Sequence, residues 1–580
     1  MKRCPQCNRL ETDEALVFCR VDGTRLISDS GSVSADAGTM RFGSSQASNE
    51  IDTSILQHGT DAEMSRPTAP TTVLAPVRAS GMTRELTQSK WRKPVIAIAF
   101  LVFIGIGVSG YFYFSRKNAA SFQSIAVMPF VNEGGNADVE YLSDGMTETL
   151  ISSLSGLPNL NVKARSSVFR YKGTNTNSQT IGKELNVQAI LNGRLVQRGD
   201  DVVLYLELVD AQTGNRIWGD QYNKKLANLV SLQNEIALDV SQKLKNKLSG
   251  AEEKRLTKNY TTNSEAYQLY LKGRFYWNKR TVDDFNRAIP NFQQAIEKDP
   301  NYALAYSGLA DCYTLTAVFG VVPPKDLMPQ AKAAATKSLA LDDSLAEAHA
   351  SLGEIMSYYD WDFAGAEREL RRAIELNPNY ATAHQWLAEQ LSVLRRHDEA
   401  LAEIHQALQL DPLSLIMNRV QGEILLNARR YDEAITQCRI TLEMDPNFPT
   451  THNCLARSYE AKGIYDKAVG EFLVQDQSRG GTPEKLNQYK AVYAKSGWNG
   501  FLVARLNSFL ERAKKDYVRP FTIASTYARL GQKDEAFVWL EKAYQERDYQ
   551  MTEISVRPEM DSLRSDPRFA DLVKRVGLPQ

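Results

Sequence analysis

The chain has 580 residues, with 69 Lys+Arg against 69 Asp+Glu and a formal net charge of zero. That length exceeds what one hydrophobic core spans, and the charge balance excludes a chain-wide attraction to nucleic acid or acidic surfaces. Six cysteines in a chain this long exclude a disulfide framework, and three of them, Cys4, Cys7 and Cys19, fall in the first 19 positions.

Residues 1–26 form a compact cysteine-containing unit. A structural zinc needs four ligands, and the knuckle Cys4-Pro-Gln-Cys7 supplies two. Cys19 is a third, and the matching position of a second knuckle, in "FCRVDG", holds Asp22, whose carboxylate binds zinc at about the distance of an imidazole. "CPQCNRLETDEALVFCRVDGTRL" resembles the short bacterial zinc ribbon that opens CPxC and closes FCxxDG. The resemblance implies a structural Zn2+ on Cys4, Cys7 and Cys19, with Asp22 or no residue of this unit as the fourth ligand; a degenerate, metal-free fold is the competing expectation. Residues 1–30 balance acidic and basic side chains, so this unit carries no charge excess for nucleic acid.

Residues 27–90 are rich in Ser, Thr, Ala, Gly and Pro and poor in aromatics, which predicts a disordered linker. As a random coil it has an end-to-end distance of roughly 45 Å, a tether rather than a rigid arm. From Pro94 to Phe114, "PVIAIAFLVFIGIGVSGYFYF" has no charged residue and no Asn, Gln or His. A helix of that length spans about 31 Å, matching the hydrocarbon core of a bilayer, so the expectation is one transmembrane helix in contact with lipid. Arg78, Arg84, Lys90, Arg92 and Lys93 precede it, against Arg116 and Lys117 after it. The excess orients the N-terminus to the cytoplasm and the C-terminal domains outside, in a bacterial inner membrane. Gly105-x-Gly107-x-x-Gly110 mimics a dinucleotide fingerprint but lacks its strand, soluble helix and acidic residue. Gly105-x-x-x-Ser109 is a small-residue face through which two spans associate into a homo-oligomer, or is inert.

Residues 122–249 alternate strand and helix signals, predicting a small α+β domain. "SIAVMPF" (124–130) is a buried strand, 140–157 an amphipathic helix, 160–166 a short strand and 178–185 a helix. Alternating runs either side of Gly199-Asp200-Asp201 predict a hairpin over 189–211, followed by a strand near Trp218 and a helix over 232–248. "IAVMPF", "YLSDGMTETLISSLSGLPNLNVKARSS", "YKG" and "IGKELNVQAILNGRLVQRGDDVVLYLELVDAQTGNRIWGDQYNKKL" resemble the FlgO/TolB-amino-terminal-type domain. That resemblance implies a bacterial domain that follows a membrane span and precedes tetratricopeptide repeats, with a cytoplasmic effector module in front. Here the cysteine unit stands in the effector's place.

From 264 to 580, Asx-Pro pairs recur at 299–300, 377–378, 411–412 and 445–446, the last three 34 residues apart. This is the tetratricopeptide period, so an all-α solenoid with a C-terminal cap is expected. Small core positions such as Ala388, Ala400 and Ala407 let paired helices approach, and the Asx-Pro step ends each second helix. Seven repeats are readable, and 476–516 has no assignment. His349, His384 and His452 share one repeat position; successive helices stack roughly 10 Å apart, too far for one metal, so they are read as packing positions. Cys312, Cys438 and Cys454 are read as buried thiols, with a Cys438–Cys454 disulfide as the alternative.

A repeat stack has a concave surface suited to extended or helical peptides. The register places Thr382, Gln385, Glu389 and Ser392 of one unit and Arg419 and Glu423 of the next in that groove, as the surface for a protein partner. No phosphate-binding loop, zinc-protease, serine-hydrolase or kinase signature occurs, so the expectation is a non-enzymatic membrane adaptor. The alternative is a membrane-bound regulator whose cytoplasmic ribbon signals or binds DNA.

Overall fold

The computed structural model describes residues 122–136, 139–244, 248–320 and 322–579, together with three short strands near the N-terminus. Those strands, Lys2–Arg3 (β1), Leu10–Glu11 (β2) and Ile27–Ser28 (β3), form an antiparallel sheet in the order β2-β1-β3 within a unit spanning Met1–Arg92. Of the linker expected over 27–90, Ile27–Ser28 instead pair as β3; the rest of it, Cys4, Cys7, Cys19 and Asp22, and the span expected over 94–114 lie outside the described residues. Among the described residues no helix is long and apolar enough to cross a membrane.

In the second unit, Lys93–Gln580, the described residues open with an α+β layer. Its strands are Ser124–Val127 (β4), Val131–Asn132 (β5), Asn161–Val162 (β6), Ala189–Arg198 (β7), Asp201–Asp210 (β8) and Arg216–Lys225 (β9), ordered β6-β4-β7-β8-β9 with β5 also on β7. β4 pairs parallel with β6 and β7, while β7-β8-β9 is an antiparallel meander. The two-residue turn uses Gly199 at φ 59°, where glycine adopts the left-handed region without a Cβ clash. On β8, Val202, Leu204, Leu206 and Leu208 are buried and alternate with half-buried Val203, Tyr205 and Glu207, the period-2 pattern of a one-faced sheet. Helices Glu140–Ser155 and Leu229–Lys243 supply Leu142, Met146, Leu150, Leu232, Ile236 and Val240 to the core. Helix Arg165–Phe169 was not expected, because five residues are too few to show a periodicity.

Helix pairs follow from Ser264. The first members are Ser264–Trp277, Ala303–Phe319, Ala346–Ile355, Ala381–Val393, Leu415–Asn427, Pro449–Ala461 and Pro520–Arg529. The stretch without an assignment also forms such a pair. Pro483–Ala513 is broken at Gly497 (φ 62°, ψ −159°), and the Tyr489 and Phe501 rings lie 5.9 Å apart, whereas twelve residues of straight helix would separate them by about 18 Å.

The histidine position does more than pack. His349, His384 and His452 each direct Nδ1 at a carboxylate on the paired helix (Glu369 2.6 Å, Glu403 2.7 Å, Glu471 2.6 Å) and Nε2 at the carbonyl of Asp343, Pro378 or Pro446. In the intervening repeat Asn418 takes the same place, donating to the Pro412 carbonyl and accepting from Gln437. A cross-helix polar clasp therefore recurs along the stack and ties each first helix to the corner before it. Cys312, Cys438 and Cys454 are buried free thiols.

The α+β layer is built into this stack. Gly145 of helix Glu140–Ser155 faces helix Ser264–Trp277 so closely that a Cβ there would come within 2.9 Å of Leu271 Cβ. Across the same contact Arg274 donates to Glu148 at 2.8 Å, Arg165 Nε lies 3.4 Å from Glu148, and one buried cluster runs from Ile125 to Ile355. The Asx-Pro corners complete the joint. Asp299, Asp342, Asn377 and Asp445 each accept the backbone N–H two residues on, an Asx turn that follows the helix. Asp411 departs from this pattern. Its carboxylate accepts from the hydroxyls of Ser166 and Ser167, the latter at 2.5 Å, while Leu413 N–H donates to Ser167 Oγ. Lys163 Nζ donates to the Gln409 carbonyl at 2.6 Å, and Asn379 Nδ2 donates to the carbonyls of Ser155, Leu157 and Leu160.

Asp411 is 3% exposed. Burial pushes its carboxyl up, opposed by the hydrogen bonds from Ser166 and Ser167 and by the charge of Lys163. Asp411→Ala strands the buried Ser167 hydroxyl and releases that of exposed Ser166, and should cost roughly 2 kcal/mol. The melting temperature should fall, and amide exchange over 155–170 should accelerate relative to the β7-β8 hairpin; unchanged exchange there would show that the corner does not hold the domain.

Candidate functional site

The ninth position of successive first helices carries Glu354, Glu389, Glu423 and Arg457, which line the concave face. Of the six groove positions expected from the register, the structure brings three together. Arg419 pairs with Glu423 one turn on, and its Nη2 lies 3.8 Å from Glu389 Oε1. Gln385 and Ser392 are buried, Thr382 is half-buried, and Ser392 Oγ accepts from Asn427. Those three do not form an open polar lining.

The register also missed the residues that close the face. Tyr358 donates to Glu389 at 3.3 Å, and its ring lies 5.1 Å from that of Tyr549 of the C-terminal segment, the two planes tilted by 30°. That segment, Tyr549–Glu553 and Pro558–Leu563, enters the concave side. Glu559 meets Arg457 through Nε at 3.1 Å and Nη2 at 3.3 Å, and it also faces Arg557 at 3.0 Å and Arg529 at 3.6 Å. Arg529 holds Glu460 at 2.8 Å. Met551, Ile554, Met560 and Leu563 anchor the segment in a core with Phe521, Ala524, Phe537 and Leu540, which also takes in Trp361, Phe363 and Val393 from earlier repeats. The solenoid closes on itself. Applying the register to the units on either side would have found Glu354 and Arg457; Glu559 carries no repeat signal.

The charges divide by position. Burial alone would raise Glu559, but Arg457, Arg557 and Arg529 hold its carboxyl well below the ordinary range. Glu354 and Glu389 lack such a surplus of cations. Burial, then the Glu389 charge, raises Glu354 well above its ordinary value. Burial together with Glu423 pushes Glu389 up to about 7, against the opposing pull of Arg419. The concave face therefore has a charge-matched end at Arg457 and a carboxylate-rich stretch, Glu354–Glu389–Glu423, around a single arginine. Among the described residues no group of three or more His, Cys, Asp and Glu side chains is placed to hold a metal. The expected zinc ligands lie outside those residues.

Residues 121–246 match the family model for the second domain of HilA/YgeH-like transcriptional regulators, where the sequence resemblance named the FlgO/TolB type. Tetratricopeptide-repeat models match 358–414, 391–449, 420–477 and 521–547, so the C-terminal region consists of such repeats. A curated relative named Putative adenylate cyclase 3, from Rhizobium meliloti (strain 1021), is 31% identical over 242 residues, which cover 40% of this chain and 40% of that relative. The chain thus spans about two fifths of the length of the curated relative it matches. Similar solved structures include YrrB, described as a TPR protein with an unusual peptide-binding site (22% identity, 33% of this chain, 92% of that chain, TM-score 0.24). A thermophilic TPR protein of Thermus thermophilus is 22% identical over 32% of this chain and 95% of that chain, with a TM-score of 0.28. The human IFIT1 dimer with m7Gppp-AAAA is 14% identical over 60% of this chain and 76% of that chain, with a TM-score of 0.37. The relative named as a cyclase corrects the expectation of a non-enzymatic chain. The signatures sought belong to phosphate-loop, zinc-protease, serine-hydrolase and kinase chemistry, and their absence leaves other catalytic classes open.

Proposed function

We propose that the chain is a single-pass membrane regulatory adaptor whose α+β layer and repeats act as one body that receives a protein partner outside the cytoplasm. The observation that carries this reading is the carboxylate stretch Glu354–Glu389–Glu423 on the concave face of a repeat stack. Carboxylates raised by burial and mutual repulsion are relieved by a cation, so the fitting partner is a segment presenting a lysine or arginine. The run 94–114 anchors the body in the bacterial inner membrane. The N-terminal unit, with Zn2+ on Cys4, Cys7, Cys19 and Asp22, faces the cytoplasm.

A second reading is favoured by the match of 121–246 to a domain of transcriptional regulators. In it the same outer body governs the N-terminal unit as a signalling or DNA-binding module. Zinc-dependent DNA binding by the chain supports it, and none at low salt removes it.

A reporter fused after residue 580 should be active only outside the cytoplasm. Photo-crosslinkers at Glu389 or Glu423 should capture a partner, whereas one at exposed Arg372 on a second helix should not; cytoplasmic reporter activity, or capture from Arg372 alone, refutes the adaptor reading. Purified chain should hold one zinc, and Asp22→Ala should reduce its retention during chelator challenge by at least roughly tenfold; equal retention removes Asp22 from the ligand set. The Glu389 carboxyl binds its proton more tightly folded, near 7, than at its ordinary 4.5, so stability falls as pH rises through that window. Glu389→Gln should abolish part of this fall, gaining on the order of 1 kcal/mol at pH 8 and almost nothing at pH 4.5, with the remainder left by Glu354. Melts of the two forms across that range measure it.

A further inference from the structure

A cleft of about 510 Å³ opens between the turns at 395–397 and 427–429 and the C-terminal segment at 555–564. Four polar atoms on its lining residues are buried and have no hydrogen-bond partner among the described residues: His397 Nδ1, Asn427 Oδ1, Arg429 Nη1 and Ser555 Oγ. Unsatisfied buried polar atoms are uncommon in folded proteins, and several around one cleft point to a ligand that they contact. We propose that this cleft binds one phosphate group, as the free ion or as the terminal monoester of a small molecule.

The charge supports an anion. Arg395, Arg429 and Arg564 line the cleft against one carboxylate, Asp561. Asp561 accepts from Arg429 Nη2 at 2.7 Å and from Arg564 Nε at 2.6 Å, which fixes both guanidinium planes and leaves Arg429 Nη1 to donate elsewhere. Arg564 Nη2 is used on the Ser555 carbonyl at 2.8 Å, which brings the Ser555 hydroxyl, in a residue 4% exposed, to the same wall. A planar guanidinium held in place and a hydroxyl suit phosphate oxygens. Asn427 fits as well, because its side-chain amide presents a donor at one end and an acceptor at the other. With its amide turned over, Ser392 Oγ donates to Oδ1 across their 3.3 Å contact and Nδ2 faces the cleft. His397 donates through Nδ1 in the matching tautomer.

The turn before each second helix holds a residue at positive φ, glycine in two repeats (Gly463, Gly531) and Arg280, Trp361, Arg395 or Arg429 in others, of which Arg395 and Arg429 border the cleft. The neighbouring Arg396 and Arg430 turn away onto Glu399 and Glu433.

Equilibrium dialysis of the full chain with radiolabelled orthophosphate, and with phenyl phosphate as the monoester, tests the assignment. One saturable site per chain is expected, and the tighter of the two probes identifies the physiological form. Arg429→Gln should weaken it about tenfold, Ser555→Ala should weaken it severalfold, and Arg430→Gln should leave it unchanged. Asp561→Asn removes the only lining carboxylate and should tighten binding severalfold, a gain that loss of fold does not produce. Absence of saturable uptake of both probes overturns the proposal. So does uptake that is the same in wild type, Ser555→Ala and Asp561→Asn.

Discussion

A carboxylate that is almost wholly buried persists as a charge only where cations surround it, and Glu559 finds them on two first helices and on its own segment. Arg457 comes from one first helix, Arg529 from another nearer the C-terminus, and Arg557 from its own segment. Removing one partner of such a buried pair leaves an uncompensated charge, which costs more than the pair itself contributes. The segment 549–563 is therefore fixed in the concave side by a charge that has no better place to go. The surrounding side chains, Met551, Ile554, Met560 and Leu563, seal it with apolar contacts. The narrow carboxylate stretch at Glu389 and the cleft at Arg429 both take one wall from this segment, so both depend on the same ion cluster.

The other end of the body rests on a different use of polar groups. A helix corner must satisfy its free N–H groups, and an Asx residue does so locally in four of the repeats. At Asp411 the carboxylate instead serves Ser166 and Ser167, and the corner N–H of Leu413 is satisfied by Ser167 Oγ. One residue type thus performs capping in most repeats and domain docking in one. With Gly145 packed on Leu271, Arg274 on Glu148 and Arg170 on the Leu413 and Met444 carbonyls, the α+β layer is joined to the stack from its first repeat to the corner after its fifth.

The period of 34 residues was legible because small residues and Asx-Pro corners recur at fixed spacing, and the hairpin at 199–201 because glycine marks it. The pair within 483–513 was not, since its break is a lone glycine without an Asx-Pro corner. Glu389, Arg419 and Glu423 were found by register alone. Their environment was not, because it is set by Tyr358, Tyr549 and Glu553, and the last two lie more than a hundred residues further along the chain. The docking role of Asp411 was hidden for a related reason: locally it looks like its equivalents, and only the serines 244 and 245 positions earlier distinguish it. The histidine position was read as packing because the sequence shows the recurrence of His but not the recurrence of its Glu or Gln partner as a hydrogen bond.

The geometry also constrains how the two proposed binding surfaces relate. Tyr549 lies against Tyr358 at the carboxylate stretch, and Asp561 and Arg564 lie in the arginine cleft, yet all three belong to one short run anchored by Glu559 between them. A cation docking at Glu389 acts on the Tyr549 end of that run, and an anion docking at Arg429 acts on the Asp561 end. Where two ligands bias one element, each changes the affinity of the other by the same factor.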